Sequence, residues 1–96
     1  MLEARFRAVF DEFAHDLSLK IYENCEEIAA KRSNGSFYKH VPKPVCDSIC
    51  KGFNISFDEF LYVVSRTLDA KRVKGGVCVP VTNLKIFKRI HIDEDT

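Results

Sequence analysis

The sequence is defined first by what it lacks. Its 96 residues include no tryptophan, one methionine and only four glycines. No run approaches the roughly 18 consecutive apolar residues that a membrane-crossing helix requires, and the first residues lead into an amphipathic segment, unlike the apolar stretch of a signal peptide. Internal repeats and low-complexity tracts are missing as well. We therefore expect a single domain over residues 1–96, with a cytoplasmic location.

Motifs that carry enzymatic chemistry are also missing. The sequence contains no G-x-S-x-G nucleophile elbow, no H-E-x-x-H zinc motif and no glycine-rich phosphate loop. The three histidines, His15, His40 and His91, are dispersed along the chain. We therefore predict a protein that is not an enzyme, has no catalytic residue and uses no cofactor.

The four cysteines, Cys25, Cys46, Cys50 and Cys78, mostly fall where apolar residues are expected. Cys46 and Cys50 lie four residues apart, which on a helix places both thiols on one face. With a third ligand they would make a zinc site, and a disulfide is another alternative, but the paired C-x₂-C spacing of zinc motifs is absent. We predict buried free thiols and no metal site, since free cysteine behaves as a small apolar residue.

Charge is segregated along the chain although the formal net charge is only +1. Residues 1–36 hold seven acids and five bases, whereas residues 73–92 hold four bases and no acid. A polyanion is therefore expected to meet the C-terminal half of the protein.

The N-terminal third predicts a long amphipathic helix over residues 1–32. Apolar residues recur every three or four positions from Leu2 to about Lys31, and the sequence Ser33-Asn34-Gly35 then suits a helix end. This apolar stripe is longer than one small domain needs to cover its core. Two interpretations remain open: the helix pairs two copies of the chain, or its first half extends the core of one copy.

A strand and a first short helix are predicted next. The residues Phe37–Val41 alternate in character between Gly35 and Pro42, which is typical of a short strand. Pro42 and Pro44 suit a helix entrance, because a missing N–H costs nothing there. The helix that they open is expected to run to about Lys51 and to stop at Gly52.

A second helix follows a tight turn. Ser56 is a favourable N-cap residue, and Glu59 stands three residues later, at the spacing of a capping box. The helix is expected to run from Phe57 to about Arg72, with one face packed by Phe57, Phe60, Leu61, Val64 and Leu68. Lys71 would then lie in its last turn.

A β-hairpin is predicted at the C-terminal end. Its strands would be Val77–Val81 and Leu84–Ile92, joined through Thr82 and Asn83 after a glycine link. Pro80 indicates that its strand lies at a sheet edge. In the second strand, Leu84, Ile86, Ile90 and Ile92 would face the core, and Lys85, Phe87, Arg89 and His91 would face outward.

The predicted order of elements over about residues 37–92 resembles the winged helix-turn-helix superfamily. This order is a helix, a tight turn, a second helix and a basic β-ribbon. The resemblance is carried by Ile55-Ser-Phe-Asp-Glu-Phe-Leu after a short helix, and then by Val73 and the hairpin. Ile-Ser-x-x-x-Phe openings of this kind recur in prokaryotic, especially archaeal, members. It implies an α+β winged-helix fold with a recognition helix at about residues 56–71 and a wing at 77–92. It also implies docking on DNA, with the helix in a groove and the wing on the phosphates.

We therefore predict a double-stranded DNA-binding protein, either a transcriptional regulator or a DNA-tethering subunit. In the first of the two interpretations of the N-terminal helix, this helix also forms a homodimer. Asp58 and Glu59 oppose this function, because carboxylates in the first turn of a recognition helix repel phosphates. The alternative is a protein–protein interaction module within a larger complex, using that acidic turn and the apolar face of the first helix. The predicted phosphate contacts are Lys71, Arg72, Lys74, Lys85, Lys88 and Arg89, and the predicted groove contacts are Lys43, Tyr62 and Arg66.

Overall fold

The residues that the structure describes form an α+β fold of four helices and one antiparallel sheet. The computed structural model describes the backbone of residues 2–33 and 36–92, and the side chains of residues 3–25 and 37–92. The elements in chain order are α1 (Leu2–Asn24), β1 (Glu26–Ser33), β2 (Ser36–Pro42), α2 (Lys43–Phe53), α3 (Phe57–Thr67), β3 (Lys71–Val73), β4 (Gly76–Pro80) and α4 (Val81–His91).

The first helix is shorter than its apolar stripe predicts. Helix α1 ends at Asn24, and the residues from Glu26 to Ser33 form strand β1, which pairs antiparallel with β2. The expectation of helix to residue 32 is therefore wrong for this segment. Residues 26–33 are good helix formers, but pairing with the open side of β2 outweighs their local preference. The predicted helix end at residues 33–35 falls partly outside the described residues.

Strands β2 and β4 form the centre of a sheet whose order is β1-β2-β4-β3. Val41, Val77 and Val79 on these two strands are fully buried. Pro80 pairs with Tyr38 of β2 at the last position of β4. Its strand is thus not at an edge, contrary to expectation. Proline is tolerated there because the three-residue β3 pairs only as far as Cys78 and needs no hydrogen bond from position 80.

Helices α2 and α3 occur nearly as predicted. Helix α2 extends past Gly52 to Phe53, where Asn54 takes the left-handed conformation (φ 57°) that ends it. The capping box is confirmed: Glu59 N–H donates to Ser56 Oγ at 3.1 Å, and Ser56 N–H donates to Glu59 Oε1 at 2.9 Å. Helix α3 ends at Thr67, so Lys71 lies in β3 and not in a last helical turn.

The predicted second wing strand is instead helix α4. Leu84 and Phe87, at a spacing of three residues, are buried, whereas Ile86 and Ile90 are 42% and 67% exposed. Apolar residues in this segment fit both the two-residue and the 3.6-residue period, and burial of Phe87 selects the helix. Asn83, expected in a hairpin turn, lies in the first turn of α4 and donates from Nδ2 to the Leu68 carbonyl oxygen at 2.9 Å.

The apolar face of α1 is used within the chain. Val9, Leu17 and Ile21 join the core, and α1 packs along α3. The half-buried Phe10 and Phe13 also pack against this core. The dimer through α1 stays a prediction, but much of the face on which it was based is already covered. No helix in the described part of the chain combines the length and apolarity needed to cross a membrane.

Candidate nucleic-acid interface

The hairpin that follows α3 is formed by β3 and β4, with Lys74 and Gly75 as its two-residue turn. Gly75 has a φ of +89° and Gly76 a φ of +151°, both unfavourable for other residues. A Cβ on Gly76 would also overlap the Val41 carbonyl oxygen. The glycine pair, predicted as a link to the hairpin, therefore contributes to its turn.

The tip of this hairpin is attached to the start of α2. The Lys43 backbone N–H donates to the Gly75 carbonyl oxygen at 2.7 Å. Since Lys43 is the first residue of α2, its N–H has no partner within the helix and is free to make this bond. The bond fixes the turn beside the N-terminal ends of α2 and α3.

A cleft of about 440 Å³ lies between the hairpin tip and these helix ends. We call it the hairpin groove; it is lined by Lys43, Phe57, Arg72, Val73, Lys74, Gly75 and Gly76. Three cationic residues, predicted separately from the sequence, are thereby brought together from α2, β3 and the turn. The side-chain charges of these three residues add to the partial positive charges at the N-termini of α2 and α3, so the cleft is suited to an anion.

Two of the cations lie over one aromatic ring. Lys43 Nζ is 5.0 Å and Arg72 Cζ is 5.4 Å from the centroid of Phe57. Both distances are within the roughly 6 Å at which a cation is attracted by the ring quadrupole. Phe57 is half-buried, and its ring lies 6.0 Å from that of the fully buried Phe60. The groove therefore has a fixed aromatic floor.

The charge of the groove is only partly compensated. Lys43 Nζ lies 3.2 Å from Asp47 Oδ1, but both side chains are about half exposed, at 45% and 56%. Such a pair contributes roughly 0–1 kcal/mol, so another anion can replace the carboxylate. Within residues 3–25 and 37–92, neither Arg72 nor Lys74 has an acidic partner. The groove thus retains unpaired positive charge.

One of the two acids expected to oppose phosphate is neutralised by contacts. Glu59 accepts from the Ser56 backbone N–H and lies 3.0 Å from Arg5 Nε of α1. The Ser56 N–H, with the Arg5 guanidinium, holds the pKa of the Glu59 carboxyl below its ordinary value. Arg5 was not singled out in the sequence, since no local pattern connects it to residue 59. Asp58 remains exposed.

The outward side of α3 is partly covered by α1. The Tyr62 ring stacks on Phe6 at 5.0 Å and meets Phe10 edge-on at 6.4 Å. The exposed Arg66 places Cζ 3.7 Å from the Tyr62 ring centroid and donates from Nη1 to the Tyr62 carbonyl oxygen. Two residues of α3 were predicted to contact a DNA groove. The charge of Arg66 is exposed to solvent, whereas the Tyr62 ring has several partners within the chain.

The remaining predicted bases lie on other elements. Lys71 is exposed on β3 outside the groove, and Lys85, Lys88 and Arg89 are exposed on α4. Helix α4 begins where β4 ends, and the hairpin turn is at the other end of that strand. The four steps between the five residues of β4, at about 3.3 Å each, separate the two ends by roughly 13 Å. The structure therefore does not gather the α4 bases with those of the groove.

Phe57 is the residue of this site that the sequence interpretation missed. Its place in the apolar stripe of α3 predicts a core residue, but in the structure it is half-buried under two cations. Its position directly after the N-cap was an available signal, because the first turn of a helix projects beyond the core that the later turns cover. No local pattern indicates that Lys43 and Arg72 converge on this ring, because they come from two other elements.

The cysteines form no comparable site. Cys46 and Cys50 are free, buried thiols and Cys78 is a free, half-buried one, whereas the half-buried Cys25 places Sγ 3.3 Å from the Tyr22 carbonyl oxygen. Burial raises the pKa of the Cys46 and Cys50 thiols to about 11, so both are protonated at neutral pH. Among the side chains that the structure describes, no three histidine, cysteine, aspartate or glutamate residues are grouped to hold a metal ion.

The chain matches no protein-family model, no curated protein and no solved structure. Its function is therefore argued from its own residues.

Proposed function

We propose that this protein binds double-stranded DNA through the hairpin groove, as a transcriptional regulator or a DNA-tethering subunit. The observation that carries the proposal is the convergence of Lys43, Arg72 and Lys74 from three elements on one cleft with little acidic compensation. Backbone phosphates are the anions that such a cleft meets along a duplex. Each neutralised phosphate releases a counterion, so binding is expected to weaken steeply with salt.

The arrangement around the groove supports a winged-helix mode of docking. Helices α2 and α3 are joined by a short turn, and the β3–β4 hairpin follows α3 and pairs with β2 through β4. In this mode α3 approaches a DNA groove and the hairpin lies on the backbone. Arg66 would then be positioned by α3 beside the duplex, with the Tyr62 ring packed beneath its guanidinium, and Lys71 would extend the line of phosphate contacts along β3.

The test is a fluorescence-anisotropy titration of a labelled duplex across a series of KCl concentrations. We expect the Arg72→Ala/Lys74→Ala variant to bind at least about tenfold more weakly and to flatten the slope of log K against log salt by roughly 1.8, at about 0.9 for each lost phosphate contact. No retention of duplex by the wild-type protein at low salt would refute the proposal. Equal affinity of the variant and the wild type would show that the hairpin groove is not the DNA interface.

A Lys20→Ala/Lys51→Ala variant is the matched control. Both lysines are exposed and lie outside the groove, and Lys51 is in the last turn of α2 whereas Lys43 is in the first. Two positive charges are lost, as in the test variant, but not at the proposed interface. We expect less than about a threefold change in affinity, from the long-range field alone.

A second candidate function, the protein–protein interaction module, is favoured by a different observation. Ile86 and Ile90 are exposed one turn apart on α4, beside Lys85 and Arg89. Of the surfaces expected for this role, the apolar face of α1 and the carboxylate of Glu59 are largely occupied within the chain, whereas Asp58 of the acidic turn is exposed. Salt-dependent duplex binding that is lost with the groove bases would favour DNA. Wild-type protein that binds no duplex would favour the module.

A further inference from the structure

Phe57 is held more firmly than its partial exposure suggests. It is the first residue of α3, directly after the N-cap Ser56, and the capping box fixes the backbone on which it stands. Glu59 of that box is in turn bound to Arg5 of α1 at 3.0 Å. On its inner side the Phe57 ring meets Phe60, which is fully buried. The ring is therefore part of a rigid surface, whereas the two cations over it have long and rotatable side chains.

The hairpin tip, attached to α2 by the bond from Lys43 N–H to Gly75, brings Lys43 and Arg72 to one cleft. They come from α2 and β3, and their charged groups lie within 5.4 Å of the same ring centroid. Like charges that line one cleft repel each other, and each long side chain loses rotamer freedom when it is held in one place. The quadrupole of the ring offsets part of that cost. An anion bound between the two cations would offset the rest of their repulsion.

The Arg72 guanidinium is the better prepared of the two. In the described part of the chain its one contact of this kind is with Phe57, and no carboxylate accepts from it. A guanidinium that is attracted to an aromatic ring at 5.4 Å keeps its N–H donors for an oxyanion, and arginine commonly binds phosphate through such donors. Lys43 shares its charge with Asp47 at 3.2 Å and supplies the second, weaker contact.

We infer that Phe57 is a positioning residue: its ring holds Lys43 and Arg72 in the hairpin groove so that together they clamp one backbone phosphodiester of a DNA duplex. This inference rests on the proposed function and deepens it. The ring itself carries no charge and does not pair with the phosphate. Its loss therefore weakens binding without removing a counterion-releasing contact, unlike the loss of either base.

The experiment compares Phe57→Leu in two backgrounds by the same duplex titration in KCl. In the wild-type background we expect about fivefold weaker binding with the slope of log K against log salt unchanged, since both charges remain. In a Lys43→Ala/Arg72→Ala background we expect Phe57→Leu to have no effect beyond twofold. A purely structural role would weaken binding equally in both backgrounds, and that result would overturn the inference.

Further variants keep the inference falsifiable. Phe57→Tyr retains the ring and should bind within twofold of the wild type; a fivefold loss with it would overturn the role of the ring. Thermal unfolding by circular dichroism checks that each variant is folded, and Phe57→Met, which keeps apolar volume without a ring, replaces Phe57→Leu if that variant unfolds. Unchanged affinity of a folded ringless variant would also overturn the inference.

Two outcomes separate this inference from the function on which it rests. A wild-type protein that binds no duplex removes both. A wild-type protein that binds, with Arg72→Ala weakened and the ringless variant unchanged, removes only the role of Phe57. Inorganic phosphate added at matched ionic strength distinguishes a diester site from a site for the free ion: displacement of the duplex by phosphate under these conditions would overturn the assignment to DNA.

Discussion

The protein carries two sets of basic residues that differ in how they are held. The hairpin groove gathers Lys43, Arg72 and Lys74 from three elements around the ring of Phe57. The second set, which we call the α4 bases, consists of Lys85, Lys88 and Arg89 on the exposed side of one helix. In sequence the α4 bases are the denser cluster. In the structure the hairpin groove is the more organised set, because its bases converge from three elements on one cleft with an aromatic floor. The α4 bases are only neighbours along one helix.

The largest expected effect is a loss of stability from a substitution in the β3–β4 turn that forms the hairpin groove. Gly76→Ala places a Cβ against the Val41 carbonyl oxygen at a φ of +151°, and we expect the free energy of unfolding to fall by about 3 kcal/mol. Gly75→Ala is the control: its φ is +89° but no atom lies within 4 Å of its Cβ, so a loss of only about 1 kcal/mol is expected. Urea denaturation measures both, and equal losses would show that the contact with β2 is unimportant.

Next in size is a direct contrast between the two sets in DNA binding. The Lys85→Ala/Lys88→Ala/Arg89→Ala variant removes three charges, one more than Arg72→Ala/Lys74→Ala. If the groove is the interface, the triple variant should lose less than about threefold in affinity, whereas the double variant loses about tenfold or more. A gel-shift titration with the same duplex shows which of the two variants loses more affinity. The reverse order would transfer the proposed interface to α4.

A smaller effect is expected in acid, because the groove depends on the cap of α3. The folded pKa of Glu59 is lowered, first by the Ser56 N–H, so its carboxylate stabilises the protein above the ordinary glutamate pKa. That stability is lost as the pH falls through the lowered value. Glu59→Gln should therefore be less stable at neutral pH and should show a flatter profile in acid. Urea midpoints across the acidic range test this, and parallel profiles for the two proteins would contradict it.

The smallest expected effect has the opposite sign. Asp47→Asn removes the carboxylate that lies 3.2 Å from Lys43 Nζ and frees this lysine for a phosphate. Duplex affinity should rise by about two- to threefold, in line with the roughly 0–1 kcal/mol of an exposed ion pair. Asp11→Asn on α1 is the charge-matched control. A similar rise with both variants would indicate a general change in net charge and not a competitor within the groove.

The successes and failures of the sequence interpretation have separate physical causes. The capping box at Ser56 and Glu59, the two prolines at the start of α2 and the strand at Phe37–Val41 are local signals, and each was confirmed or nearly so. Residues 26–33 were misassigned because pairing with the adjacent strand β2, where Ser33 lies opposite Ser36, outweighs helix preference. Residues 84–92 were misassigned because their apolar pattern fits both periods, and only the packing of Phe87 decides between them.

The candidate site was predictable in charge but not in geometry. Lys43, Arg72 and Lys74 were each chosen from the sequence as possible DNA contacts, yet they were assigned to a helix entrance, a helix end and a link. Their convergence depends on the short β3–β4 turn and on the bond from Lys43 N–H to Gly75, which connect residues far apart in the chain. Phe57 was missed for the same reason, since its role is defined by cations from two other elements.

The two-residue turn and its bond to α2 have one more consequence. A long, free wing can bend to follow whatever backbone it meets, but this tip is short and is attached to the body of the protein at 2.7 Å. In a complex with DNA, most of the adjustment would therefore fall on the nucleic acid. Sites with easily deformed pyrimidine–purine steps next to the clamped phosphate would then be favoured over stiff A-tracts, even without a single base contact.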